Sequence, residues 1–250
     1  MKALLLAAGK GERLGDITKD VNKCSLMVGG KPLIRYSLDH MFTPIQYQKI
    51  TELVVVVGYK ADTVIPIIQD WYYEKGIKNT CIKLTIIRQE LQSGMLDAIL
   101  CAEDAIDKSD FVLVLGDEIV IHPNPVLKML SYKDDIHCMG VIGYVLADCP
   151  ERVSKTFSID IGIPEFYAFM EKPMNPDVQM MGTGYGLFDK NFFDCARVAS
   201  DYPNALAIYS SYHQENVSLC QLGFRYYNIN SEEDLIEARK DLTITPRQYD

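Results

Sequence analysis

No stretch of the chain stays apolar for the roughly 20 residues that a membrane helix requires. Met1–Ala8 comes nearest at the front, but it breaks at Gly9 and enters the charged GKGER, which predicts neither a secretory signal nor a membrane partner. Cysteine is sparse and scattered, with seven residues, an odd number, and no CxxC pair. That spacing argues against a disulfide framework or a zinc site. It predicts a reduced, cytoplasmic protein in which Cys81, Cys101 and Cys138 act as small apolar residues. Basic excess is missing too. The chain carries 25 Lys and Arg against 34 Asp and Glu, a net charge of −9, whereas a nucleic-acid partner needs an electropositive face. Internal repeats and low-complexity tracts are absent.

What is present is the balance of an ordinary globular chain. At 250 residues, 48% of them apolar, it can bury one sizeable core. Strand and helix patterns alternate through the first half. Ala3–Leu6, Leu53–Val57, Leu84–Ile87 and Phe111–Leu115 read as short apolar strands, and Leu33–Met41, Ala61–Tyr73 and Asp97–Ala105 read as helices. The second half offers strands at Cys138–Leu146, Phe166–Met170 and Gly182–Phe188, and Phe224–Ile229 as a last core strand. A helix over Glu232–Asp241 follows, with Ser231 as its cap and Asp234 completing a capping box. Apolar strands between amphipathic helices predict an α/β fold: a Rossmann-like, mainly parallel (mixed) sheet flanked by helices, in one domain over residues 1–250.

The segment LAAGKGERL, Leu6–Leu14, runs a strand into two glycines and an arginine. Glycine permits tight turns and close approach, so backbone N–H groups at Gly9 and Gly11 can face an anion. Arg13 adds a planar fork suited to phosphate oxygens. The Walker loop is not matched, and Leu14 stands where GxGxxG would place its last glycine.

LAAGKGERL, then Lys23, then GGKPLIRYSLD resembles the opening of the sugar-1-phosphate nucleotidyltransferases, the enzymes that make nucleoside diphosphate sugars. The resemblance continues in order through Gln89-Glu90-Leu91-Gln92-Ser93-Gly94, the strand-end Gly116-Asp117, Glu171-Lys172-Pro173, Thr183-Gly184 and NINSEEDL from Asn228. It implies a nucleotide-diphospho-sugar transferase architecture of the GT-A-like kind. The nucleotide-binding half would lie over about residues 1–120 and the acceptor half over about 121–250. It also implies transfer of a nucleotidyl group from a nucleoside triphosphate to a sugar-1-phosphate with Mg2+ as cofactor. Leu6, Ala8, Gly9, Gly11, Arg13, Lys23, Gln89, Gly94 and Asp117 would hold the nucleotide. Ser154, Glu171, Lys172 and Gly184 would hold the acceptor. Arg13, Lys23, Asp117 and Lys172 would be catalytic, and Asp117 with Asn230 would hold the metal, Asn228 being the fallback.

The chemistry fits these residue types. Two polyanions must meet in line, so positioning and charge neutralisation carry most of the catalysis. Asp117 at the end of an apolar strand suits Mg2+, which takes one or two carboxylates beside phosphate oxygens and water. His40, His122, His137 and His213 are isolated, and a phosphate nucleophile needs no general base. Cys24 is expected to serve packing rather than reactivity, and Tyr72, Tyr73, Tyr226 and Tyr227 to be core or interface aromatics.

Two departures from the family pattern stand out. Asn22 replaces a proline before Lys23 and is expected to leave that loop freer, so that Lys23 orders when nucleotide arrives. Ser154 stands where the family has a glycine beside the sugar and is expected to narrow or repolarise that wall. Gln89 can pair with a pyrimidine or a guanine edge. Its spacing to Gly94 and Asp117 is most similar to the uridylyl and thymidylyl branch, which leaves UTP, dTTP and CTP as candidate donors. Two alternatives stay open: a cytidylyltransferase for an aminoalkyl or polyol phosphate, and a catalytically silent regulatory subunit that binds nucleotide sugars. Association into homo-oligomers is also left open.

Overall fold

The computed structural model describes residues 1–42, 49–162, 167–214 and 216–244. Its first half comprises β1 (Lys2–Ala7), the short pair β2 (Met27–Val28) and β3 (Lys31–Pro32), α1 (Leu33–Met41), β4 (Glu52–Val57) and α2 (Ala61–Glu74). β5 (Lys83–Arg88), α3 (Met95–Leu100), α4 (Glu103–Ile106), β6 (Phe111–Leu115) and β7 (Glu118–Val120) follow. The second half holds α5 (Pro125–Ile136), β8 (Gly140–Leu146), α6 (Pro150–Val153), β9 (Phe157–Ile161), β10 (Tyr167–Glu171) and β11 (Met180–Phe188). It ends with α7 (Phe192–Val198), α8 (Tyr202–Tyr212), β12 (Val217–Gln221), β13 (Tyr226–Asn228) and α9 (Glu232–Ile244).

Strand order in the central nine-stranded sheet is β10-β9-β11-β6-β1-β4-β5, with β8 on β11 and β12 on β8. The β6-β1-β4-β5 half is wholly parallel, and β11 joins it antiparallel to β6. The expected mixed sheet with helices on both faces is therefore present. Alternation along β1 shows the physical cause. Ala3, Leu5 and Ala7 enter one apolar cluster with Leu38, Val64 and Trp71 of α1 and α2, while Leu4 and Leu6 enter another with Ile99, Phe192 and Leu206 of α3, α7 and α8. A strand that buries both faces reads as a continuous apolar run.

From β1 the chain crosses outward to β4 and β5, then returns to β6 on the other side of β1. The carboxyl ends of β1 and β6 thus flank a topological switch point, where open α/β sheets bind ligands. The residues after those ends are Ala8-Gly9-Lys10-Gly11 and Gly116-Asp117.

Some expectations need correction. The predicted helix Asp97–Ala105 is two helices, because Ala102 N–H bonds Ile99 O, a tighter i−3 turn that breaks the run. Phe224–Ile229 is not a core-sheet strand. Its central part, β13, pairs only with β7 in a separate ribbon and packs Tyr227 and Ile229 with Leu235 and Ala238 of α9 in a third small cluster. The sheet position beside β8 belongs instead to β12, which pattern reading missed. Phe166 lies outside the described residues. The capping box is present: Asp234 N–H donates to Ser231 Oγ, and Ser231 N–H donates to Asp234 Oδ2 at 2.9 Å.

His40 shows how a buried group ties this core to pH. Its Nδ1 lies 2.9 Å from the Tyr185 hydroxyl. Burial, helped by the Lys31 charge, holds its imidazole far below the usual 6.5, at about 3. The folded value is depressed, so the contribution to stability is complete above pH 6.5. It is lost as pH falls towards 3, at up to about 1.4 kcal/mol per pH unit. Thermal melts between pH 7 and pH 5 are expected to show a falling Tm that His40→Gln flattens, since glutamine can still pair with Tyr185. An unchanged slope in that variant would place the linkage elsewhere.

Candidate active site

A cavity of about 890 Å³ opens over the carboxyl ends of β1 and β6. Leu6, Ala8, Gly9, Gly11 and Arg13 form one wall of it, as the sequence predicts. Gly11 is left-handed, with φ 67°, and a Cβ there would stand 3.3 Å from both Lys23 Cβ and Thr18 Cγ2. The glycine turn and the lysine segment are therefore packed as one unit. Arg13 is exposed at the rim with no side-chain ion pair or hydrogen bond among the described residues.

Asn22 overturns the expectation of a freer loop. It is fully buried, and its Nδ2 donates to Ala7 O at 3.0 Å and to Tyr59 O at 2.7 Å. Its Oδ1 accepts from Cys24 N–H at 2.8 Å, and its own N–H donates to Thr63 Oγ1 at 2.9 Å. Proline would stiffen φ and lack the N–H. Asparagine instead ties the turn before Lys23 to the ends of β1 and β4 through its Nδ2 and to α2 through its N–H.

Lys23, held by that turn, is buried and places Nζ between two partners. It forms an ion pair with Asp117 and donates to Asn230 Oδ1 at 3.1 Å. Asn230 Nδ2 in turn donates to Asn228 Oδ1 at 2.7 Å, and Ile229 N–H bonds Asp117 O at 3.1 Å. Lys23, Asp117, Asn230 and Asn228, distant in sequence, thus meet at one point. The β13–β7 pairing creates this, because it sets Asn228 opposite Glu118. Cys24 beside them is no nucleophile: burial and the Asp117 charge push its thiol well above the usual range, with Lys23 only partly offsetting.

Sequence reading missed Glu118. It is buried, accepts from Gly184 N–H at 2.9 and 3.1 Å, and accepts from the Tyr226 hydroxyl at 2.6 Å. Burial, then the neighbouring Asp117 charge, pushes its carboxyl up to about 8. Gly184 is close-packed as well as donating, since a Cβ there would overlap the Leu115 side chain. Tyr226 is a core aromatic as expected, with the added task of holding Glu118.

Across the cavity stand Glu171 and Lys172. Lys172 is left-handed, with φ 42°, a backbone that costs a non-glycine residue about 1 kcal/mol or more. Two bonds hold it there. Lys172 N–H donates to Thr156 O at 2.8 Å, and Ser154 Oγ donates to Pro173 O at 2.7 Å. Ser154 is therefore not part of the cavity wall, contrary to expectation. Its hydroxyl points at the loop carrying Lys172, and the wall is made by Lys155, Thr156 and Phe157. Tyr202, at the start of an unpredicted helix, also lines it. Thr156 Oγ1 and the Tyr202 hydroxyl are buried without hydrogen-bond partners among the described residues.

Gln89 and Gly94 both line the cavity, and Gln89 Nε2 donates to Gly94 O at 3.2 Å. Gly94 has φ 108°, a conformation open in practice only to glycine. None of the four histidines lines the cavity. Lys10, Arg13, Lys23, Lys155 and Lys172 do, beside five acidic residues, so in a chain of net charge −9 the lining is balanced in charge.

The donors near Asp117 are hard oxygens: one carboxylate and the Asn228 and Asn230 amides. No group of three or more His, Cys, Asp or Glu suited to a metal occurs among the described residues. That set fits Mg2+, which relies on one or two protein carboxylates plus phosphate oxygens, and does not fit zinc. No described helix is long and apolar enough to cross a membrane.

A sequence model described as nucleotidyl transferase matches residues 2–243. The UTP–glucose-1-phosphate uridylyltransferase AglF of Haloferax volcanii is 34% identical over 194 residues, covering 77% of this chain and 74% of that protein. A glucose-1-phosphate thymidylyltransferase of Streptomyces griseus is 28% identical over 190 residues, 75% of this chain but only 49% of its own length. The same fold occurs in a UDP-glucose pyrophosphorylase crystallised with UDP-glucose. Its TM-score is 0.78 at 22% identity, covering 96% of this chain and 97% of that one.

Proposed function

The chain belongs to the nucleotidyl transferase family, and from that premise we propose that it transfers a nucleotidyl group from a nucleoside triphosphate to a sugar-1-phosphate. The observation that carries the reading is the convergence of Lys23, Asp117 and Asn230 at the switch point, facing Lys172 across one cavity. A phosphate oxygen of the acceptor attacks the α-phosphorus. A new P–O bond forms, the bond to the β-phosphate bridging oxygen breaks, and pyrophosphate leaves with both electrons.

Each residue has a task in that step. The glycine turn and Arg13 hold the β- and γ-phosphates and the departing pyrophosphate. Lys23 turns from Asp117 and Asn230 towards the α-phosphate, whose oxygens gain charge in the transition state. Lys172, fixed by its strained backbone, orients the acceptor phosphate, with Glu171 at 2.8 Å from its Nζ. The family is generally dependent on a divalent metal. Asp117, with Asn230 or Asn228, would hold Mg2+, which when bound neutralises phosphate charge. Residues 1–120 then serve mainly the nucleotide and 121–250 mainly the acceptor.

The direct test is pyrophosphate release across a panel of nucleoside triphosphates and phosphate acceptors with Mg2+. Turnover with a hexose-1-phosphate is the expected result. No turnover for any pair, together with tight binding of a nucleotide sugar, would leave a silent subunit. A second measurement separates the two halves. Lys172→Ala is expected to raise the acceptor KM about tenfold or more and the triphosphate KM by less than threefold, the loss of one charged hydrogen bond being about 1.5–3 kcal/mol. Equal effects on both substrates would mean that Lys172 does not belong to the acceptor.

A further inference from the structure

The base-side wall carries a contact that phosphoryl chemistry does not require. Gln89 is 3% exposed, and its Nε2 donates to two protein acceptors, Asp97 Oδ2 at 2.7 Å and Gly94 O at 3.2 Å. Its main chain is fixed as well: Gln89 N–H donates to Val57 O at 2.7 Å, and Gln92 Nε2 donates to Gln89 O at 2.9 Å. Both amide hydrogens of the side chain thus point into the protein. Oε1 has no partner among the described residues and belongs to a side chain lining the cavity.

A glutamine is ordinarily ambidextrous, offering either an acceptor or a donor to a ligand. This one is not. Turning the amide over would set Oε1 against a carboxylate and a carbonyl, neither of which can donate. The 2.7 Å bond to a charged acceptor is the stronger of the two that oppose the turn. Asp97 sits in the first turn of α3 and is half-buried there, so its carboxylate is held close to Gln89 without being sealed from water.

We propose that Asp97 is a positioning residue for nucleobase choice. By holding Nε2, it leaves Oε1 as the group offered to the base, an acceptor that requires a ring N–H opposite it. Among pyrimidines that selects uracil or thymine, whose N3 carries hydrogen, against cytosine, whose N3 is itself an acceptor. The inference rests on the nucleotidyl-transfer reading above for the identity of the ligand. It goes further in deciding among the three candidate triphosphates and in naming a residue that touches neither the base nor the phosphates.

The test compares kcat and KM for UTP, dTTP and CTP in the wild type, Asp97→Asn and Asp97→Ala, alongside calorimetric binding of UDP and CDP. The wild type is expected to prefer UTP or dTTP over CTP by about a hundredfold or more in kcat/KM, because a site built to pair with one hydrogen strongly rejects a base that lacks it. Asparagine can either accept from Nε2 or donate to Oε1, so Asp97→Asn allows the amide to turn. The preference is then expected to narrow at least tenfold, through KM and through a gain in CDP affinity relative to UDP. A merely structural Asp97 would weaken all three nucleotides alike. An unchanged ratio in both variants, or a wild type that prefers CTP, overturns the inference. If no triphosphate turns over in the wild type but UDP binds over CDP and that preference collapses in Asp97→Asn, the inference stands and the transfer reading falls.

Discussion

Asp117→Ala is expected to cut pyrophosphate release by at least about a thousandfold while the protein stays folded. The rate loss combines two effects. The carboxylate paired with Lys23 disappears, and with it the charged oxygen that a bound Mg2+ would take from the protein. Lys23 also loses its ion-pair partner and the orientation that partner imposes. Removal of a single well-placed electrostatic group commonly costs 10²–10³ in rate, and here two such groups are disturbed together.

Stability should respond far less. Losing the Asp117 charge leaves the buried Lys23 with only Asn230 Oδ1, which is unfavourable. It also removes the like charge that helps push up the buried Glu118 carboxyl, which is favourable. These oppose each other, so the Tm shift is expected to stay within about 8 °C, equivalent to about 2 kcal/mol in a chain of this size. Asp117→Asn, which keeps the shape and removes the charge, should lose activity to a similar extent. Pyrophosphate release and a thermal melt check the pair, and near-normal turnover in either variant would remove Asp117 from the site.

How far the sequence discloses such a site depends on whether neighbours along the chain are neighbours in space. Gly9, Gly11 and Arg13 are legible because the strand, the turn and one cavity wall are one continuous segment. Leu33–Met41 and Phe111–Leu115 match their predicted limits because apolar period and element length coincide there. Lys23, Asp117 and Asn230 were legible one by one through family resemblance. Their meeting was not, because it depends on a ribbon of three-residue strands, β7 and β13, too short to announce its pairing. Glu118 could have been suspected from an acid directly after Gly116-Asp117, but its burial follows from Gly184 and Tyr226, 66 and 108 residues away. Asn22 was misread because a loop asparagine looks permissive until its buried side-chain hydrogen bonds are seen. Ser154 and Thr156 show the finest limit: two residues along a turn into a strand decide which side chain faces the cavity.

Lys23→Met is the second variant with a large expected effect. Methionine keeps an unbranched apolar stem, so the contact with the Gly11 turn survives while the charge is lost. In the folded protein that charge pairs with Asp117, so a carboxylate in a largely buried setting is left without its ion-pair partner. The Tm is therefore expected to fall further than in Asp117→Ala, although Lys23 itself makes few other polar contacts. Turnover should drop about 10²–10³-fold, because the cation is wanted at the α-phosphate when charge develops there. Lys23→Arg should not restore it. The slot is 7% exposed and shaped by Asn22, Gly11 and Asn230 for a narrow ammonium, and a planar guanidinium is a different shape with different donors. The double variant Lys23→Met with Asp117→Asn separates the two roles: removing the unpaired Asp117 charge should recover most of the lost Tm, while turnover stays at the level of the worse single variant. Recovery of activity together with stability would mean that Lys23 serves only to hold Asp117, and that some other cation of the cavity meets the α-phosphate.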